Sequence, residues 1–341
     1  MARKKPQSPD AGQVVIGLNA VILTVADDAP RVLTVRRAGH ALATDAQRAK
    51  EGDLQTVALP FGPFDPQRHR TIEEGLRGWV TEQTGIEVGY AEQLYTFGNR
   101  YRDPLELAGG PRVVSVGYMG LVPDTRLSGT GEAAWTDVYR FFPWEDRRGG
   151  APTLLNDLRA RLALWVKSAP DTPARHHRRD RVAQTFGGDG APWDAVRVLE
   201  RYELLYEAGL AAEAGRDTLL RAGKTPQVEQ NPYGVPMAFD HRRILATALG
   251  RVRGKLTYRP VVFELVPPQF TLLQLQRVAE ALSGVALHKQ NFRRLVVTGG
   301  LVEETGTYAP QGRGRPAELY SFRRDVLREA TRPGLGLALS K

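Results

Sequence analysis

The side chains best suited to chemistry with a polyanion lie between Lys289 and Arg294. Lys289, Gln290, Arg293 and Arg294 form two i,i+4 pairs, and these residue types hydrogen-bond base edges and phosphates. They fall on a predicted helix over about 288–298, whose opposite stripe is Phe292, Leu295 and Val296 and which Gly299-Gly300 closes. A second cationic pair, Arg313 and Arg315, sits in the Gly-rich run 306–316, where a turn tip can grip a phosphate backbone or a minor groove. The carboxylates at Glu73, Glu74 and Glu82 lie on another predicted helix. There the question is whether enough oxygen ligands share one face to hold a divalent cation.

The elements that position the basic cluster follow directly. Thr271-Leu-Leu-Gln274 has capping-box form, with Leu272, Leu275, Val278 and Leu282 as the apolar stripe and Gly284 as the stop. The turn 284–287 leads into the basic helix. Leu301–Glu304 and Ala317–Phe322 then read as two short strands joined by the basic tip. Helix, turn, helix and wing in that order predict a winged helix-turn-helix. Upstream, Asp240 is the expected N-cap of a helix to about Gly254.

Charge agrees with this placement. From Asp240 to Lys341 there are 17 Lys/Arg and 8 Asp/Glu; of the 47 and 38 in the whole chain, this leaves 30 of each sign in the first 239 residues. The net charge of +9 therefore belongs to one segment, the footprint expected of a phosphate-contacting domain. A hydrophobic content of 42% permits real cores, and 341 residues suit two domains. With no cysteine there is neither a disulfide framework nor a thiolate metal site. No run reaches transmembrane length, and no apolar signal segment follows the basic first residues, so the expected location is cytoplasmic, with no membrane partner.

Before Asp240, residues 1–12 read as a disordered tail. Val14–Val25 and Arg31–Arg37 form a predicted hairpin, followed by a loop over 39–53 and a strand over 54–59. A helix over about 71–84 stops at Gly85, strands follow over 93–101 and 113–121, and an amphipathic helix covers 153–167. The stretch 167–192, with its prolines, glycines and solvated His176-His177, reads as a linker. Trp193–Ala214 reads as one long helix with a face for a neighbour such as a second subunit, and 224–236 as a loop.

Leu59-Pro-Phe-Gly62 and Leu76–Ile86 resemble the Nudix fold, an α/β/α sandwich. A working Nudix box carries Arg-Glu-hydrophobic-any-Glu-Glu-any-Gly-hydrophobic on the helix. Aligned on Gly85-Ile86, this chain has Gly78 for the Arg, Trp79 for the first Glu, Glu82 for the next and Gln83 for the last. One carboxylate of a cluster holds a hard cation poorly, so neither catalytic nor metal-ligating residues are expected, and the domain suits a ligand sensor. The stretch 255–271 with Leu287–Arg294 and Gly312–Phe322 closely resembles the Nudix-related transcriptional regulators of NAD metabolism. Tyr202–Leu210 looks like the longer members, described as alphaproteobacterial NAD regulators.

The expected fold is thus α+β: a Nudix-like α/β/α sandwich over 13–168, a linker and long helix over 169–236, a winged helix-turn-helix over 237–330, and tails over 1–12 and 331–341. The resemblance implies a homodimeric repressor of NAD-biosynthesis genes on a palindromic double-stranded operator. It needs no cofactor, and an NAD-derived nucleotide such as ADP-ribose acts as effector. A diphosphate calls for cations and a base or ribose for a flat partner. By their placement at strand ends, Arg36, Arg37, Phe61, Gly62, Tyr101 and Arg102 are the candidate pocket rim. An ADP-ribose or nucleotide pyrophosphatase with an accessory nucleic-acid-binding domain, and an RNA-binding or scaffold protein, remain the alternatives.

Overall fold

The computed structural model describes residues 14–36, 57–128, 133–224, 226, 231–309 and 316–327. Its N-terminal part is built on β1 (Val14–Ala26), whose inward residues alternate at the strand period. Leu18, Ala20 and Ile22 face one layer, while Val21 and Leu23 face the other. β1 pairs antiparallel with β2 (Ala29–Arg36) and parallel with β6 (Arg112–Leu121). β2 carries β3 (Val57–Ala58) and β7 (Ala133–Asp137) on its far edge, β4 (Phe61–Pro63) pairs with β1, and β5 (Tyr90–Phe97) flanks β6. Asp27 and Asp28, both at positive φ, make the tight β1–β2 turn.

One face of this sheet is covered by α1 (Ile72–Thr84), which buries Leu76 and Val80. Thr71 caps its first turn and Gly85 ends it in the left-handed conformation, as its sequence signals require. A short helix α2 (Pro104–Leu107) follows β5.

The other face is covered from further along the chain. α3 (Leu154–Lys167), α5 (Val198–Glu207), α7 (His241–Tyr258) and α8 (Leu272–Ser283) share one core with Val21, Leu23 and Val32. α8 opens the helix-turn-helix and wing, which continue with α9 (Lys289–Thr298), β8 (Val302–Tyr308) and β9 (Glu318–Phe322). The two halves are therefore fused through a common core. Each Leu or Val fully buried there contributes about 1.5–3 kcal/mol.

Several sequence expectations are corrected. Most of 167–192 is a helix, α4 (Thr172–Phe186), started by Asp171 and stopped by Gly187. Two of its guanidiniums pack: Arg178 lies 4.4 Å over the Trp165 ring and Arg181 pairs with Glu207 at 2.6 Å. The single helix expected over 193–214 is two, α5 and α6 (Ala212–Arg221), because Gly209 turns left-handed at φ 70 between them. The neighbour of α5 is α7 of the same chain. β5 ends at Phe97, so Tyr101 and Arg102 stand in the following turn, not at a strand end. Arg37, Arg313, Arg315, the loop over 39–53 and both tails lie outside the described residues. Among the described residues no helix is long and apolar enough to cross a membrane.

Candidate nucleic-acid interface and effector cleft

The basic helix is held rigidly from behind. Thr271 and Gln274 form the full capping box of α8. The turn after α8 is fixed by side chains from that helix: Glu280 accepts the Leu287 N–H at 2.8 Å, and Gln276 donates to the Leu287 carbonyl at 3.0 Å. α9 then buries Phe292 and Val296 and leaves Lys289, Gln290, Arg293 and Arg294 exposed on the opposite face. All four are exposed, as the helical spacing predicts, and so is Asn291 beside them, an adenine-reading residue type that the cationic pattern alone omits. Counting polar as well as cationic positions around the helix would have found it. β8 and β9 pair antiparallel, and Phe270 adds backbone hydrogen bonds to Tyr320. Phe263 stacks on Phe322 at 4.2 Å, seating the wing on the domain.

The end of α8 is tied to α7 and to the N-terminal half. Tyr139 donates its hydroxyl to the Ala281 carbonyl at 2.6 Å, Arg253 Nε donates to the Leu282 carbonyl at 3.0 Å, and the Arg147 amide donates to the Gly284 carbonyl at 2.7 Å. These are carbonyls that a helix end leaves without internal partners. Burial pushes the Tyr139 hydroxyl up to about 12, so it remains a donor. Behind it lies Glu145, fully buried, with Arg201 on both oxygens at 2.6 and 3.0 Å and Arg253 on Oε2. Burial pushes the Glu145 carboxyl up, but the charges and hydrogen bonds of Arg201 and Arg253 outweigh it and hold the group below the ordinary carboxylate range.

The degenerate box has a structural cause. Trp79, in place of the first carboxylate, donates its indole N–H to the Pro63 carbonyl at 3.0 Å. Its ring fills the space over Gly62, where a Cβ would come within 2.2 Å. Gln83 bridges the Phe61 backbone, donating to its carbonyl at 2.7 Å and accepting its N–H at 3.3 Å. Glu73 pairs with Arg77, and Glu74 accepts the Arg70 N–H. Two positions that carry carboxylates in a working box, Trp79 and Gln83, thus bind β4 to α1 instead.

The effector candidates separate into four places. Gly62 lies beneath Trp79 on the α1 side, and Arg36 stands exposed at the end of β2, opposite Val57. Phe61 meets Phe239 and His241 edge-on at 5.9 and 5.3 Å. Tyr101 and Arg102 share a cleft of about 180 Å³ with Tyr206, Arg221, Asp240 and Arg243. Tyr101 is left-handed at φ 60, a conformation that costs a non-glycine residue about 1–3 kcal/mol and concentrates at ligand clamps. Arg102 is buried, with Nε 3.0 Å from Asp240 Oδ2 and a further bond to Ser115. Asp240 occupies the N-cap position of α7 without capping it, because its carboxylate is turned to Arg102.

Comparison with known proteins agrees with this geometry. Residues 262–322 match the NrtR DNA-binding winged helix domain. Over 86 residues, 25% of the chain, the sequence is 42% identical to the ADPR responsive transcriptional repressor NtrR of Acinetobacter baylyi. That match spans about a third (34%) of the curated relative. In three dimensions the chain is similar to Shewanella oneidensis NrtR complexed with a 27mer DNA, with TM-score 0.53 and 21% identity over 92% of this chain and 95% of that one. It is also similar to a MutT/nudix family protein from Enterococcus faecalis, with TM-score 0.51 and 17% identity over 95% and 90% of the two chains. The α+β fold is therefore a Nudix-like sandwich followed by a C-terminal winged helix, as expected from sequence.

Proposed function

We propose that this chain is a cytoplasmic transcriptional repressor of NAD-biosynthesis genes, responsive to ADP-ribose or a closely related NAD-derived nucleotide. The observation that carries it is the exposed Lys289, Gln290, Asn291, Arg293 and Arg294 face of α9, on the domain that matches the NrtR winged helix. That face enters the major groove, and the wing tip with Arg313 and Arg315 follows the backbone. A homodimer reads a palindrome with half-sites about 34–36 Å, or a multiple, apart. No cofactor is required. Trp79 and Gln83, built into the β4–α1 contact, favour a sensor over a hydrolase.

The effector seat in this reading is the cleft of Tyr101 and Arg102, with Phe61 and Arg36 on the neighbouring strand ends. A diphosphate reaching Arg102 competes with Asp240, at the N-cap position of α7. Ligand binding thereby biases the angle at which α7 and α8 lie on the sheet, provided that it prefers one arrangement. Specific binding to duplexes upstream of NAD-biosynthesis genes, in the presence of competitor DNA, tests the reading. Turnover of ADP-ribose with Mg²⁺ but no specific duplex binding contradicts it.

A further inference from the structure

A second cationic site lies away from the effector cleft. An open groove of about 490 Å³ runs between α3 and the turn after α4, lined by Arg147, Arg159, Phe186, Gly187, Pro192 and Trp193. Arg147 and Arg201 both lie over the Trp193 ring, at 4.3 and 3.9 Å, but their charges are treated differently. Arg201 is satisfied by Glu145 and by the Thr185 and Asp194 carbonyls at 2.9 and 2.8 Å. Glu145 faces Arg201 with both oxygens and shares Oε2 with Arg253. Arg147 Nη1 is buried and has no hydrogen-bond partner among the described residues. Among the described residues Arg159 reaches only the Phe186 carbonyl, at 3.2 Å.

Neither Arg147 nor Arg159 belongs to an ion pair among the described residues. Burial, then the charges of Arg159 and Arg201, lower the pKa of Arg147 against the opposing pull of Glu145, which marks a place short of negative charge. The turn is pinned there: Gly187, Asp189 and Gly190 have positive φ of 70, 48 and 85, and Gly188 and Ala191 exchange both backbone hydrogen bonds. A Cβ on Gly187 would sit 3.3 Å from the Trp193 nitrogen.

Buried donors without partners are rare in native proteins and point to a missing acceptor. Two guanidiniums with no carboxylate partner among the described residues, one of them with a buried unpaired Nη1, favour a dianion over a carboxylate, and a phosphoryl group carries about −1.5 to −2 at pH 7 with three acceptor oxygens. We propose that this groove binds a phosphoryl anion, free or carried by a nucleotide, between Arg147 and Arg159. The site adjoins the DNA-reading turn, because the Arg147 backbone pairs with Gly284 and Val285. It is independent of the effector reading.

The test is isothermal titration of the full chain with inorganic phosphate and, separately, with ADP, against chloride of matched ionic strength. Arg147→Met and Arg159→Met are the variants; Arg159 is exposed, so its replacement leaves the fold intact. Wild type binds at least one probe, and each variant binds it about tenfold more weakly or worse. Binding of phosphate alone identifies a free ion as sufficient, and binding of ADP alone identifies a nucleotide carrier. No heat with either probe, or equal affinity in wild type and both variants, overturns the proposal. It also fails if the variants change only the salt dependence of duplex binding, since the arginines then serve the DNA backbone.

Discussion

Single residues decide what the Nudix-like half can do. Gln83 supplies both a donor and an acceptor to Phe61, which glutamate cannot. Gln83→Glu therefore opposes a carboxylate to a carbonyl oxygen and costs about 1–3 kcal/mol, read as a lower urea midpoint, without gaining Mg²⁺-dependent turnover while Trp79 stays in place. On the other half, Arg293→Ala leaves the thermal midpoint unchanged because the side chain is exposed. It lowers discrimination between operator and random duplex by about 1–3 kcal/mol, measured by anisotropy. The orientation of both residues follows from helical periodicity and the box alignment, which are local. Arg102 was legible only as a cation, since its partner Asp240 is 138 residues away. For the same reason Asp240 read as a cap when it is a tether.

At the scale of elements, strong end signals translated directly into structure: Thr271, Gln274 and Gly284 delimit α8 as written. α4 escaped notice because its basic run Arg175–Arg181 offers no apolar stripe, and its helicity depends on the Asp171 cap and on packing against α3. The break at Gly209 was outweighed by the apolar spacing on either side of it. Gly284 shows how tightly the turn is specified. It is left-handed at φ 73, and a Cβ would meet the Glu145 carbonyl oxygen at 2.3 Å. Gly284→Ala must therefore move the α8–α9 turn away from the N-terminal half. Operator affinity falls by about tenfold or more while the far-UV helix signal is retained; unchanged affinity would mean that this contact does not position α9.

Across the whole molecule, the expected string of sensor, linker and reader is replaced by a shared core in which α7 and α8 form a layer on the sheet. No sequence periodicity reports that arrangement, because it depends on which distant faces meet. Glu145 with Arg201 and Arg253 sits at that junction. A carboxyl whose folded pKa is depressed contributes stability that is present above its unfolded value, about 4.3 for Glu, and lost as pH falls through the lower folded value. Acid destabilisation of wild type in that window is predicted to flatten in Glu145→Gln. At neutral pH the same variant loses about 3–5 kcal/mol, because two buried guanidiniums lose their counter-charge. Urea midpoints across pH check both effects.

In the proposed repressor, nucleotide binding and operator binding are coupled through this shared layer. The most direct measurement of that coupling is anisotropy of the full chain on an operator duplex at fixed salt, titrated with and without saturating ADP-ribose. Coupling of this kind shifts Kd by about 5- to 150-fold, with the same factor appearing in the affinity for ADP-ribose when duplex is present. Tight operator binding that ADP-ribose leaves unchanged, although it binds the protein, would contradict it.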